Sequence, residues 1–228
     1  MKKLTTLFIL VMVTSNTIAQ DPEKVTLTMG PFYGLKIYSK LHVNLILSDA
    51  NKVVAYGDNA HDVIISLNNN TLKIKLASSS ILDFGTTYID LYHSNPLDQI
   101  IAHQGVKLRS DKTIEQTSLK IESKGGAEID LDIRTDRLDA VVNTGGKIFL
   151  QGRTINYDLT INTGGICEAE EMSTEQAKVK IVAGGLGYIN VSQLLDASIT
   201  GGGVLRVYGN PKKQITETKL GGKIYFQD

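Results

Sequence analysis

The sequence predicts an all-β fold, a parallel β-solenoid of the β-helix kind. Three observations lead there: a glycine pair recurs about every 19 residues, small or apolar residues alternate on both sides of it, and no convincing amphipathic helix occurs. Anchoring on Gly126, Gly145, Gly164, Gly184, Gly202 and Gly221 gives spacings of 19, 19, 20, 18 and 19. A fixed period of this size marks a stack of equivalent units, because one unit of about 19 residues cannot bury an apolar face alone.

Each unit justifies its own elements. Three and five residues after the anchors stand Ile129 and Leu131, Ile148 and Leu150, Cys167 and Ala169, Gly187 and Ile189, Leu205 and Val207, then Ile224 and Phe226. Five and three residues before them stand Ile121 and Ser123, Ala140 and Val142, Leu159 and Ile161, Val179 and Ile181, Ala197 and Ile199, then Thr216 and Thr218. Alternation of this kind belongs to strands with one buried face. The stretch "NTGGKIFLQG" and its copies are therefore corners, where glycine permits a turn that a Cβ would obstruct. They are not phosphate cradles, since no helix follows and neither nucleotide-binding fingerprint is completed. Asn143 and Asn162, with Thr144 and Thr163 beside them, fall rung over rung and predict side-chain hydrogen-bond ladders.

Upstream the period blurs. Strand patterns persist in "LHVNLIL", "DVIISLNNNTLKIKL" and "TYIDLYHS", and "NPLDQIIAHQGVKLRS" reads as one more rung around Gly105. The expected organisation is a signal peptide at 1–19 and one solenoid domain at 20–228, with irregular coils over 20–117 and regular repeats over 118–228. The polar run from Ser78, "SSSILDFGTT", is the expected protruding loop.

Composition bounds the function. With 24 basic and 24 acidic residues the chain has no net field to steer it to nucleic acid, which is not an expected partner. Lys2 and Lys3, the apolar run Leu4 to Val13 and the small-residue site Thr17-Ile18-Ala19 predict export to the periplasm, outer surface or medium, with no transmembrane segment. No cysteine ends that signal, so a lipid anchor on a new terminal Cys is not expected. The single Cys167 leaves stability to core packing, and its inward column makes it a core filler rather than a nucleophile.

The signal peptide, the N-terminal β region, the "NPLDQIIAHQG" segment and the serial Gly-Gly turns together resemble the bacterial family called putative auto-transporter adhesin, head GIN domain. The resemblance covers nearly all of the mature chain. It implies a β-solenoid of pectin-lyase-like shape without an established catalytic site and a role in adhesion at the cell envelope, and it carries over no functional residue. Here the family's frequent Gly-Ser-Gly corner is mostly Gly-Gly.

The remaining inventory is sparse. The histidines (42, 61, 93 and 103) show no metal-ligand spacing, so no metal or other cofactor is expected. Glu128, Asp130 and Asp132 with Arg134 form the one acidic cluster suited to polysaccharide chemistry, on a face expected to be flat. The outward positions instead suggest a binding or self-association surface: Phe149, Tyr188, Tyr208 and Tyr225, flanked by Ile166, Leu186 and Val204. The opposite outward column, Lys120, Asp139, Asp158, Lys178 and Asp196, is that of a solvated face. The expected partner is a glycan, a protein or a second copy of the chain, and the expected activity is non-catalytic; the alternatives are a polysaccharide-active enzyme and a purely structural envelope component. Asp228 lies two residues past the inward Phe226, so an uncovered end edge is expected, with Lys212, Lys213, Lys219 and Lys223 near it.

Overall fold

The computed structural model describes residues 24–80 and 85–227, so the export signal predicted at 1–19 and residues 81–84 of the predicted loop lie outside the described residues. The chain is about 70% strand and 3% helix, wound as a parallel β-solenoid of about 7 turns with roughly 19-residue spacing. The strands are, in chain order, β1 (Val25–Thr28), β2 (Gly34–Ile37), β3 (His42–Leu47), β4 (Lys52–Gly57), β5 (Val63–Asn68) and β6 (Thr71–Leu76). They continue with β7 (Thr87–His93), β8 (Gln99–His103), β9 (Lys107–Ser110), β10 (Ile114–Lys124), β11 (Glu128–Asn143) and β12 (Lys147–Asn162). The last five are β13 (Ile166–Val182), β14 (Leu186–Thr200), β15 (Val204–Tyr208), β16 (Lys213–Lys219) and β17 (Lys223–Phe226).

In the repeat region each long strand spans two sides of the solenoid and pairs in parallel with its copies above and below. The register joins like positions: Ile129 with Ile148, Leu131 with Leu150, Ala140 with Leu159 and Val142 with Ile161. The inward columns are buried from Ile121 to Val207 and form one core that runs on into Phe32, Leu35 and Ile74. Ser123 fits the same column because its hydroxyl donates to the Ala127 carbonyl at 2.6 Å and accepts from the Lys147 amide at 3.2 Å, bridging the corner. The last rung departs from the expectation. Thr216 and Thr218 are exposed, Ile224 is half-buried and Phe226 is 46% exposed, because no further described rung covers them.

The two glycines of each corner do different work. Thr144 and Gly145 both take positive φ, 49° and 69°, and the Gly146 amide donates to the Asn143 carbonyl at 3.0 Å, which closes a tight turn of the type I′ kind. Gly145 has open space where a Cβ would stand, so its requirement is conformational. Gly146 is a steric requirement, since a Cβ there would stand 2.5 Å from the Ser123 carbonyl oxygen on the neighbouring rung. Gly164 and Gly165 divide in the same way, with Val142 in the path of the second. Beside these turns the predicted ladder forms, Asn162 Nδ2 donating to Asn143 Oδ1 at 2.8 Å. A second ladder marks the opposite bend, where the buried Thr135 hydroxyl donates to that of Thr154 at 3.0 Å.

The uneven spacings are absorbed at that opposite bend. Between β13 and β14 the register jumps from Ala169–Ile189 to Ser173–Asn190, and then from Thr174–Val191 to Gln176–Leu194. Residues 170–172 have no partner on β14, which returns one residue where Ser192 and Gln193 oppose Glu175, and Met172 turns into the core. As a result Glu171, rather than Glu170, pairs with Gln151 in the outward column.

In the first part of the chain, space and sequence part company. The rung β2–β3 lies between the rung β6–β7 and the rung β8–β9, because β2 pairs with both β6 and β8 while β3 pairs with both β7 and β9. Antiparallel strands finish this end: β4 lies on β7, β1 on β4, and β5 folds on β6 through Asn69 and Asn70, both at positive φ. Ser80 at the base of the predicted loop is buried, its hydroxyl donating to Asp62 Oδ2 at 2.5 Å.

Candidate functional site

One side of the solenoid, here the front, carries the strand sequence β4, β7, β3, β9, β11, β12, β13, β14, β15, β17. Outward side chains on neighbouring rungs stand about 4.8 Å apart. Two adjacent columns follow from the register. The first runs Tyr88, His42, Lys107, Glu128, Lys147, Ile166, Leu186, Val204, Lys223, and the second runs Asp90, Asn44, Arg109, Asp130, Phe149, Glu168, Tyr188, Arg206, Tyr225.

The surface residues singled out in the sequence fall into these columns unevenly. Ile166, Leu186 and Val204 are contiguous, with Leu186 37% exposed. Phe149, Tyr188 and Tyr225 share the second column, but Glu168 and Arg206 separate them, and the Arg206 guanidinium lies 5.7 Å from the Tyr225 ring centre. Tyr208 stands one position over, opposite Asn190. The back carries the charged column from Lys120 to Asp196 as one continuous row, ending at Ile215.

The front also holds a groove of about 430 Å³ toward its N-terminal end, which the sequence reading did not locate. Its walls include Tyr56, Tyr88 and His42, its polar groups include Asn44, Asp90, Lys107, Arg109, Glu128 and Asp130, and Phe149 closes its far end. The volume lies in the range of roughly 300–1,000 Å³ common for small-molecule sites. Tyr56 and Tyr88 stack at 5.4 Å with planes 14° apart, and His42 meets Tyr88 edge-on at 5.3 Å. Tyr88 remains 40% exposed.

Charge in the groove is balanced and largely unspent. Glu128 is engaged by Lys147 at 3.2 Å. Lys107, Arg109, Asp90 and Asp130 make no ion pair within 4.0 Å among the described residues. Asn44 donates to Asp111 at 3.2 Å, while its Oδ1 is buried without a donor. Burial first, then the Lys107 charge, holds the His42 imidazole below its ordinary value, so the ring is neutral at pH 7. Burial and the nearby Asp90 raise the Tyr56 phenol, which keeps its proton.

The other candidates resolve into packing. Asp132 accepts from the Thr113 hydroxyl at 2.7 Å and Arg134 pairs with Glu115 at 2.8 Å, so with Glu128 on Lys147 the acidic cluster of the enzyme reading is divided among rung-to-rung contacts except at Asp130. The Cys167 thiol is fully buried, 3.1 Å from the Tyr157 hydroxyl, and burial pushes its pKa up to about 12, which removes the thiolate a nucleophile needs. His93 is buried, with Nδ1 2.9 Å from the Asn95 carbonyl, and His103 lies 3.4 Å from Glu122. No group of three or more His, Cys, Asp or Glu side chains is placed to hold a metal among the described residues. No helix among them is long and apolar enough to cross a membrane.

Comparison with known proteins bears on fold and family. The family model described as "Putative auto-transporter adhesin, head GIN domain" matches residues 31–211. A crystal structure of a putative adhesin from Bacteroides fragilis is similar at a TM-score of 0.82 and 17% identity, covering 92% of this chain and 98% of that one. A putative adhesin from Parabacteroides merdae gives a TM-score of 0.71 at 18% identity, with coverage of 92% and 98%. A crystal structure from Parabacteroides distasonis described as a putative lipid binding protein gives 0.67 at 16% identity, again with coverage of 92% and 98%. A search of curated proteins gives no match.

Proposed function

We propose that this chain, which belongs to the auto-transporter adhesin head GIN domain family, is an exported, non-catalytic module of the cell envelope that binds a partner through its front. The supporting observation is the asymmetry of the solenoid. The front combines a groove with aromatic walls and an apolar column, whereas the back carries a continuous row of charges from Lys120 to Asp196. The divided acidic cluster and the buried thiol favour binding over turnover. Self-association would use the same front through Leu186 and Tyr188.

A front-against-back comparison tests the reading. Mature protein on beads is applied to glycan and protein arrays, with light scattering as the measure of self-association and a reducing-sugar assay as the measure of catalysis. Leu186→Glu with Tyr188→Glu, or Tyr88→Ala, is expected to cut retention or oligomer mass about tenfold, the effect of roughly 1.4 kcal/mol. Asp158→Lys with Lys178→Glu on the back is expected to leave both unchanged. Equal effects from front and back, or release of reducing sugar, would overturn it.

A further inference from the structure

Resting on the binding role just proposed, we infer that the front groove is a subsite for an uncharged saccharide, one pyranose lying against Tyr88 with its hydroxyls shared among Asp90, Arg109 and Asp130. The chemistry of the lining selects this ligand class. Aromatic rings supply an apolar platform with a polar rim, which matches the alternating apolar and hydroxylated surfaces of a sugar ring. Hydroxyl groups both donate and accept, and the groove offers both in matched number: cations at Lys107 and Arg109, carboxylates at Asp90 and Asp130, none of them in an ion pair among the described residues.

Charge argues against the competing ligands. An anionic ligand drawn to Arg109 would meet Asp130 on the adjacent rung, and a cationic one drawn to Asp130 would meet Arg109. A peptide strand gains its affinity from main-chain pairing at a sheet edge. Here the groove floor is the middle of a sheet, where β3 is already paired on both sides, so no backbone ladder is on offer. The rung spacing of about 4.8 Å is close to the length of one pyranose, so successive sugars of an oligosaccharide laid along the axis meet successive rungs from Tyr88 toward Phe149.

The test is a titration of the mature protein with defined neutral hexose oligosaccharides of glucose, galactose and mannose, and with matched uronate oligosaccharides, followed by calorimetry and amide chemical shifts. At least one neutral series is expected to bind, with shifts centred on β7, β3 and β9. Tyr88→Ala and Arg109→Ala are each expected to weaken it about tenfold, with the melting curve retained, while Lys178→Glu on the back leaves it unchanged. Binding of the uronates alone, no neutral binding, or binding indifferent to Tyr88→Ala and Arg109→Ala would each overturn the subsite. If the front substitutions abolish retention on protein arrays while no neutral sugar binds, the subsite falls and the binding role stands. If sugar binds through Tyr88 and Arg109 while retention ignores the front, the subsite stands and the wider role falls.

Discussion

The two ends of this solenoid build the same corner from different residues. From Gly145 onward the corner is a positive-φ pair followed by a glycine, as in Thr144-Gly145-Gly146 and Thr163-Gly164-Gly165. Toward the N-terminus the positive-φ pair is Ser39-Lys40 or Gln104-Gly105, and the residue after it is Leu41 or Val106, each fully buried. The turn is thus common to both regions, but the space inside it is not. In the first rungs a side chain fills the corner; in the later ones the neighbouring rung occupies that space and only hydrogen fits. What is conserved along the axis is a backbone conformation, and glycine is one of several ways to reach it.

The largest effect expected from breaking this arrangement is in the repeat core. Ile148 is fully buried, and Lys in its place would bury an unpaired charge at a cost of several kcal/mol against a net stability of about 5–15 kcal/mol. No soluble, cooperatively melting Ile148→Lys protein is expected by circular dichroism. Recovery of such protein would mean that the register of β12 is wrong.

A smaller and more discriminating pair lies in one corner. Gly165→Ala would place a Cβ 2.8 Å from a Val142 methyl group and 2.9 Å from its carbonyl oxygen, so overpacking of about 1–3 kcal/mol is expected. Gly164→Ala meets open space and bears only the left-handed backbone cost of roughly 1–2 kcal/mol, which Gly164→Asn should reduce. Denaturant titration should rank the three as Gly165→Ala, Gly164→Ala, Gly164→Asn, in falling order of damage. The reverse order would undo the division of labour between the two glycines.

The legibility of the sequence follows the same boundary. Between Ile121 and Val207 the inward residues were readable because chain order and stacking order coincide, so a period in sequence is a period in space. Upstream, the alternation of Tyr88, Asp90 and Tyr92 or of His42 and Asn44 already tells which side chains face outward. It does not tell that β3 sits between β7 and β9, and that insertion is what brings Tyr88, His42 and Arg109 together. The groove was therefore visible as residue types but not as a place. Of its lining, Glu128, Asp130 and Phe149 were singled out from the sequence as candidates, since they belong to the rungs whose order could be counted.

Cys167 gives a test within the regular region that packing alone would not predict. Its sulfur is the partner of the buried Tyr157 hydroxyl at 3.1 Å. Cys167→Ala should therefore cost about 1–3 kcal/mol, because a buried hydroxyl loses its partner. Tyr157→Phe in the same chain removes the stranded group and should restore part of that loss, a coupling that a double-mutant cycle measures. Additive effects would reduce Cys167 to the small core filler that its column alone suggested.

The smallest expected effect returns to the contrast between the two corner designs. Lys40 is exposed at φ 54°, in the left-handed region that costs an L-residue roughly 1–2 kcal/mol, and its amide donates to the Gln104 carbonyl at 2.9 Å to carry the corner ladder. Lys40→Gly relieves that strain while keeping the amide, and it gives back part of the gain because glycine loses more backbone freedom on folding. A net stabilisation of about 0.5–1 kcal/mol is expected, read as a rise of about 1–4 °C in Tm. The following residue is where the regions should differ most. Leu41→Gly, which would copy the later corners in full, removes a side chain buried at 0% exposure and should destabilise by at least the 2–5 kcal/mol typical of Leu→Ala in a core. If Lys40→Gly and Leu41→Gly moved Tm in the same direction, the two corners would be one design after all, and the steric account of the second glycine would fail.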